Sequence, residues 1–95
     1  MVVGTLCACL RLEGCRSLKD KRQIVRSLLE RLRNTFQVAA AEVDDQELWG
    51  NATIGVACVS ASKAHAESVL QKVLDLIDAT PCVEVEDMQR EIERR

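Results

Sequence analysis

Aromatic side chains are almost absent from this sequence. Its 95 residues include no tyrosine, a single phenylalanine, Phe36, and a single tryptophan, Trp49. Proteins that read single-stranded RNA on a β-sheet stack the bases on aromatic rings of the central strands. The scarcity of rings argues against that mode of recognition, and it leaves the core to be filled by aliphatic residues and cysteines.

Histidine is equally scarce, since His65 is the only one, and no two cysteines have the Cys-x-x-Cys spacing typical of zinc sites. The five cysteines are Cys7, Cys9, Cys15, Cys58 and Cys82. We interpret them as small reduced hydrophobic residues, and we expect neither a metal site nor a cofactor. His65 has no carboxylate and nucleophile at a suggestive spacing, so we expect no catalytic residues, no small-molecule substrate and no enzymatic activity.

Long apolar runs are also missing. The longest, Val2 to Leu10, is interrupted by Gly4 and Thr5 and is far shorter than the roughly 20 residues that a membrane-spanning helix needs. No positively charged segment precedes it, as a signal peptide would require. We therefore expect a cytoplasmic protein without a membrane segment.

The charge that is present is unevenly distributed along the chain. Residues 1–36 contain 8 basic and 3 acidic residues, a net charge of +5, whereas residues 37–95 contain 5 basic and 12 acidic residues, a net charge of −7. This asymmetry predicts one surface that attracts anions and another that repels them.

Hydrophobic periodicity predicts six elements. They are a strand over Val2–Leu12, a helix from Ser17 to about Asn34, a hairpin of 37–44 and 51–60, a helix from Ser62 to Thr80, and a strand over 82–92. In the first strand, alternation predicts that Val2, Leu6, Ala8, Leu10 and Leu12 face the core. The spacing of Met88 and Ile92 also suits a helical turn, so two interpretations of that end stay open.

The predicted order is β, α, β, β, α, β. Two strand–helix–strand units with right-handed crossovers, joined by a hairpin, interleave into a four-stranded antiparallel sheet with both helices on one face. The sequence therefore predicts an α+β, ferredoxin-like fold in a single domain over residues 1–95, a length that supports only one core.

The first helix presents a line of positive charge. Lys19, Arg22, Arg26 and Arg33 follow one another at three-, four- and seven-residue steps, which places them on one face. Arg16 and Lys21 near the helix entrance extend this candidate site for RNA or another polyanion. The alternative is a solvated charged face, because Glu30 can pair with its arginine neighbours.

The uncovered face of the sheet is predicted to be apolar. We expect it to carry Cys7, Cys9, Gly55, Ala57 and Val59, and Trp49 of the hairpin loop is a further candidate contact. Because contiguous exposed apolar patches tend to be interfaces, we expect this face to form a homodimer; a protected monomer and a different protein partner are the alternatives.

A phosphate-binding enzyme is a minor alternative. Acylphosphatases share this topology and hold phosphate with an arginine after the first strand, and Gly14, Arg16 and Asn51 are the residues that suit such roles. The interval from Gly14 to Arg16 is shorter than in the acylphosphatase motif, which argues against this alternative.

A family resemblance completes the sequence analysis. The opening strand, the segment Ser17-Leu18-Lys19-Asp20-Lys21-Arg22, and the later segments 41–44, 48–49 and 55–57 resemble the bacterial YlxP-like family of small uncharacterised proteins. The resemblance assigns Ser17, Leu18, Lys19, Lys21 and Arg22 to the family motif and implies a ferredoxin-like fold. Genes of this family often lie among those for translation initiation and small-subunit maturation, which favours RNA or a ribosomal particle as the partner.

Overall fold

The computed structural model describes residues 1–95, which form four strands and two helices in the predicted order. They are β1 (Val2–Leu12), α1 (Leu18–Phe36), β2 (Ala39–Asp44), β3 (Asn51–Ser60), α2 (Lys63–Asp78) and β4 (Val83–Arg94). All three strand pairings are antiparallel, and the order across the sheet is β2-β3-β1-β4. The two helices pack on one face, so the ferredoxin-like prediction is confirmed.

The core lies between the sheet and the helices, and alternation in β1 and β3 builds the sheet side of it. The five predicted inward residues of β1 are at most 4% exposed, and Ile54, Val56 and Cys58 of β3 are buried beside them. Gly4 occupies the remaining inward position of β1. A Cβ atom there would lie 3.1 Å from Leu70 Cδ1 of α2, so the glycine lets this helix approach the sheet closely.

Both helices begin at the predicted caps. The Ser17 hydroxyl accepts a hydrogen bond from the Asp20 amide at 3.1 Å, and Ser62 does the same for His65 at 3.3 Å. The predicted end of α1 near Asn34 is two residues short, because Phe36 packs against the core and keeps the last turn helical. Gln37, at φ 53°, then caps the helix, and β2 starts only at Ala39.

A β-bulge settles the ambiguity in β4. Cys9 pairs with Asp87 but Leu10 pairs with Val85, which leaves Glu86 as the extra residue. The bulge shifts the alternation by one, so Val83 and Val85 face the core before it, and Met88 and Ile92 after it. The strand interpretation is confirmed, and the helical turn is wrong.

Neither helix is long and apolar enough to cross a membrane.

Candidate functional site

The outer face of α1 carries three free cations. Lys19, Arg22 and Arg26 are exposed, and none of them takes part in the ion pairs of the chain. With Gln23, Ser27 and Glu30 they border a shallow groove of about 410 Å³. Glu30, which lies on the same face, makes no ion pair with Arg26 or Arg33. We call Lys19, Arg22 and Arg26 the basic face.

Lys21 does not belong to the basic face, and its prediction as an anion-binding residue is wrong. Its side chain is 1% exposed and points towards the β2–β3 connection. Nζ donates to the carbonyl oxygens of Asp45 and of Leu48, the latter at 2.6 Å, and lies 2.8 Å from Glu42 Oε2. The two hydrogen bonds and the ion pair with Glu42 hold the ammonium group inside the protein, where a ligand cannot reach it.

The loop that Lys21 holds is fixed from the sheet as well. Asp45 adopts a left-handed backbone conformation at φ 63°, and its carboxylate accepts a hydrogen bond from Thr53 Oγ1 at 2.8 Å. Lys21 therefore joins the start of α1 to the hairpin, which makes it a structural residue.

Arg33 and Arg16 are exposed near the basic face, but each is placed differently from its three residues. The Arg33 guanidinium donates from Nε to the carbonyl oxygen of Ala40 at 3.2 Å, with Nη2 donating to the same atom. It is exposed but tied to β2, so it extends the positive surface with restricted freedom. Arg16 is exposed beside the helix start, outside the ion pairs of the chain, where its side chain can add to the positive potential.

The family motif thus divides into two groups. Ser17 caps the helix, the half-buried Leu18 begins it, and Lys21 anchors the loop. Lys19 and Arg22 alone are exposed to a partner.

The open face of the sheet consists of cross-strand rows of residues, because paired neighbours in the register point the same way. One row is Ala41, Gly55, Cys7 and Gln89, and the next is Ala39, Ala57, Thr5 and Glu91. A third is Asp44, Thr53, Cys9 and Asp87. The structure therefore brings four of the predicted residues, Cys7, Cys9, Gly55 and Ala57, onto one surface.

Small side chains make this face concave. A cavity of about 520 Å³ lies over the first two rows, and Val43 closes one side of it. Val43 packs across Gly55, where a Cβ atom would lie 2.9 Å from Val43 Cγ1. Ala39, Ala41 and Val43 were missed by the sequence analysis, because the three alanines of β2 blur its alternation.

Three predicted interface residues lie outside that cavity, and one of them, Cys9, belongs to the third row. Val59, 68% exposed, is on the same face nearer the end of β3, and Trp49, 51% exposed, is in the β2–β3 loop beside the equally exposed Leu48. Neither lines the cavity. Trp49 is therefore a separate exposed ring at the end of the hairpin.

Carboxylates surround the open face, which the sequence analysis did not foresee. Burial raises the pKa of the Cys7 thiol, and the negative charges of Cys9, Asp44 and Asp87 raise it further. Asp44 comes from the β2 edge and Asp87 from the β4 edge, so negative charge lies on both sides of Cys7. The bulge at Glu86 concealed this arrangement, because strict alternation along β4 places Asp87 and Glu91 on the core side.

The residues of the phosphatase alternative have other contacts. Asn51 Nδ2 donates a hydrogen bond to Glu86 Oε1 of the edge strand β4 at 3.2 Å. Gly14 forms the turn after β1 at φ 76°.

His65, the single histidine, lies in the first turn of α2. Its Nδ1 atom is 3.1 Å from the Ser60 hydroxyl, so the side chain belongs to the cap region of this helix.

The fold and these two surfaces define a small ferredoxin-like α+β domain with a basic helix on one side and a concave sheet on the other. Comparisons with known proteins agree with this class. The chain belongs to the family described as "Protein of unknown function (DUF503)", which matches residues 3–90. It is 37% identical over 78 residues to the "Uncharacterized protein YlxP" of Bacillus subtilis (strain 168), covering 82% of this chain and 84% of that protein. The YlxP-like resemblance is therefore confirmed.

Two solved structures are similar in fold. A structural genomics protein, YJCS, superposes with a TM-score of 0.55 at 13% identity, covering 94% of this chain and 96% of that one. A de novo designed protein with a ferredoxin fold superposes with a TM-score of 0.56 at 9% identity, covering 100% of this chain and 88% of that one. At these identities the similarity concerns the fold alone.

Proposed function

We propose that this protein is a non-enzymatic binding module that contacts the phosphate backbone of structured RNA, as free RNA or in a ribosomal particle, through the basic face. The observation that carries the proposal is the absence of ion pairs at Lys19, Arg22 and Arg26. Two arginines elsewhere in the chain are engaged in ion pairs, since Arg11 pairs with Glu84 and Arg95 with Glu93. A polyanion can therefore bind these cations without breaking any ion pair inside the protein.

The spacing of the basic face suits a phosphate chain. From Lys19 to Arg26 the helix rises roughly 10 Å at 1.5 Å per residue, and side chains three or four residues apart are neighbours. That length spans about three phosphates of one strand. Such contacts follow the backbone and need no aromatic stacking, which agrees with the scarcity of rings in the sequence.

The proposal is tested by measuring RNA affinity as a function of salt. For three phosphate contacts, log K should fall with log salt with a slope of roughly −2 to −3. The double variant R22E/R26E should lose most of the affinity and about two units of that slope. K63E/K72E is the matched control, because Lys63 and Lys72 are exposed residues of α2 without ion pairs and the charge change is identical.

Two results would contradict the proposal. One is no detectable binding to ribosomal RNA at low salt, and the other is an equal loss of affinity in R22E/R26E and K63E/K72E. Sedimentation of the protein with and without ribosomal particles at two salt concentrations then distinguishes free RNA from the assembled particle.

The homodimer predicted for the open face stays a prediction. The exposed Val43 and Val59 are the apolar side chains that such a dimer would bury. Sedimentation equilibrium of the protein alone measures it directly.

A further inference from the structure

The floor of the open face is built from side chains no larger than threonine. Thr5 and Cys7 come from β1, Ala39 and Ala41 from β2, and Gly55 and Ala57 from β3. These six residues are adjacent in the first two cross-strand rows of the open face. Because these side chains are small, the concave floor accommodates the side chains of another chain without rearrangement.

The rim of the open face is acidic and uncompensated. Asp44, Asp87 and Glu91 are exposed and take part in none of the ion pairs of the chain. Arg11, at the end of β1, and Arg95, at the end of the chain, are already engaged, because Arg11 pairs with Glu84 and Arg95 with Glu93. The face therefore combines an apolar floor with an unbalanced negative charge.

We propose that the open face binds a cationic, extended polypeptide segment of a partner protein. Small or aliphatic side chains of the segment lie on the floor, and its lysine or arginine side chains reach Asp44, Asp87 and Glu91. Charge complementarity selects this occupant, since cations compensate the rim and enhance the rate of encounter.

Other occupants fit the same face less well. A second copy placed face to face brings one acidic rim towards another, and like charges across an interface are costly. A nucleic acid brings phosphates towards the same carboxylates and finds no ring on which to stack. The proposed segment is free of both penalties.

This inference is independent of the proposed RNA contact. The open face lies on the side of the sheet away from the helices, whereas the basic face is the outer surface of α1. The protein would thus present an anion-binding and a cation-binding surface on opposite sides, with the positive and negative halves of the sequence supplying one each.

A labelled peptide of nine alternating lysine and valine residues tests the proposal by fluorescence anisotropy. We expect the wild-type protein to bind this peptide. D87N/E91Q should weaken the affinity roughly tenfold, because that loss corresponds to the usual strength of two surface ion pairs. The control E67Q/D78N removes two carboxylates from exposed positions on α2 and should leave the affinity unchanged within twofold. A peptide of alternating glutamate and valine should not bind.

Amide shift mapping of the wild-type protein locates the peptide without any substitution. We expect the largest shifts at Cys7, Gly55 and Ala57, and A41L should block the peptide by filling the floor. R22E/R26E should bind the peptide normally, so failure of the RNA proposal and failure of this one are distinguishable.

Three results would overturn the inference. They are equal weakening by D87N/E91Q and E67Q/D78N, peptide shifts that map elsewhere, and displacement of the peptide by spermine at the same concentration of positive charge. A dimer in sedimentation that excludes the peptide and is broken by A41L would assign the face to a second copy instead.

Discussion

Two neighbouring residues of α1, Lys21 and Arg22, have the same charge and opposite surroundings. Lys21 is 1% exposed and holds the β2–β3 loop, whereas Arg22 is exposed and unpaired. One residue turns the helix by 100°, which is enough to move a side chain from the flank that meets the hairpin to the outer face. The comparison teaches that a basic motif can contain a stabilising contact and a binding contact side by side.

The largest expected effect is a difference in protein stability between variants of Lys21 and of Arg22. Lys21→Met leaves the Glu42 carboxylate and two loop carbonyls without their partner, and removing one member of a buried pair costs about 3–5 kcal/mol. Arg22→Met should change the free energy of unfolding by no more than about 0.5 kcal/mol. Urea denaturation of both variants measures the difference. Similar midpoints would contradict the structural role of Lys21.

The next effect concerns the other partner of Lys21. Glu42→Gln keeps a hydrogen-bond acceptor near Nζ but removes the compensating charge, so we expect a loss of about 1–3 kcal/mol. If the two side chains stabilise each other, the double variant K21M/E42Q should lose less than the sum of the single losses. Additive losses in urea denaturation would show that the ion pair contributes nothing beyond its separate parts.

A smaller effect is expected at the cap that starts the helix carrying both residues. Ser17→Ala removes the acceptor of the Asp20 amide and should cost about 1 kcal/mol. Affinity for RNA should stay within about twofold at temperatures where the variant is folded, because the basic face is unaltered. Ser17→Asp, which restores an acceptor, is the control and should recover the lost stability.

The smallest effect moves from the helix to the open face and depends on pH. The pKa of Cys7 is raised above its ordinary value of 9.0 by burial and by the neighbouring negative charges. The folded protein therefore holds this proton more tightly than the unfolded chain, and stability is unaffected well below pH 9 and falls as pH rises through that value. Cys7→Ala should remove this part of the alkaline loss, as thermal unfolding between pH 7 and 10 measures.

Reactivity checks the same pKa shift. At pH 8, iodoacetamide should modify the exposed Cys82 before the half-buried Cys7, because only the thiolate reacts and the raised pKa of Cys7 keeps that thiol protonated. Mass spectrometry of the digested protein measures the order, and faster labelling of Cys7 would contradict the shift.

Much of the fold was predictable because its signals are local. Alternation in β1, the helical spacing in α2, and the caps at Ser17 and Ser62 each involve residues within one or two turns of each other. The end of α1 and the phase of β4 were not, since Phe36 depends on a distant core and the extra residue Glu86 is visible only against the register of β1.

The candidate sites divide in the same way. Lys19, Arg22 and Arg26 were predictable as one line, because helical spacing alone determines which side chains are neighbours. That Lys21 is buried was not, since its partners lie 21 to 27 residues further along the chain. A pattern of neighbouring residues cannot show how close the start of α1 lies to the hairpin loop in the folded protein.

By itself, the sequence determined the order of the elements, the faces of β1 and β3, the line of Lys19, Arg22 and Arg26 on α1, and the uneven charge of the two halves of the chain. Tertiary structure decided which charged side chains are paired inside the protein and which remain free at the surface, including Asp87 and Glu91, which the bulge in β4 turns to the open face. The physical reason is that periodicity is a property of neighbouring residues, whereas burial and pairing depend on which distant segments the fold brings into contact.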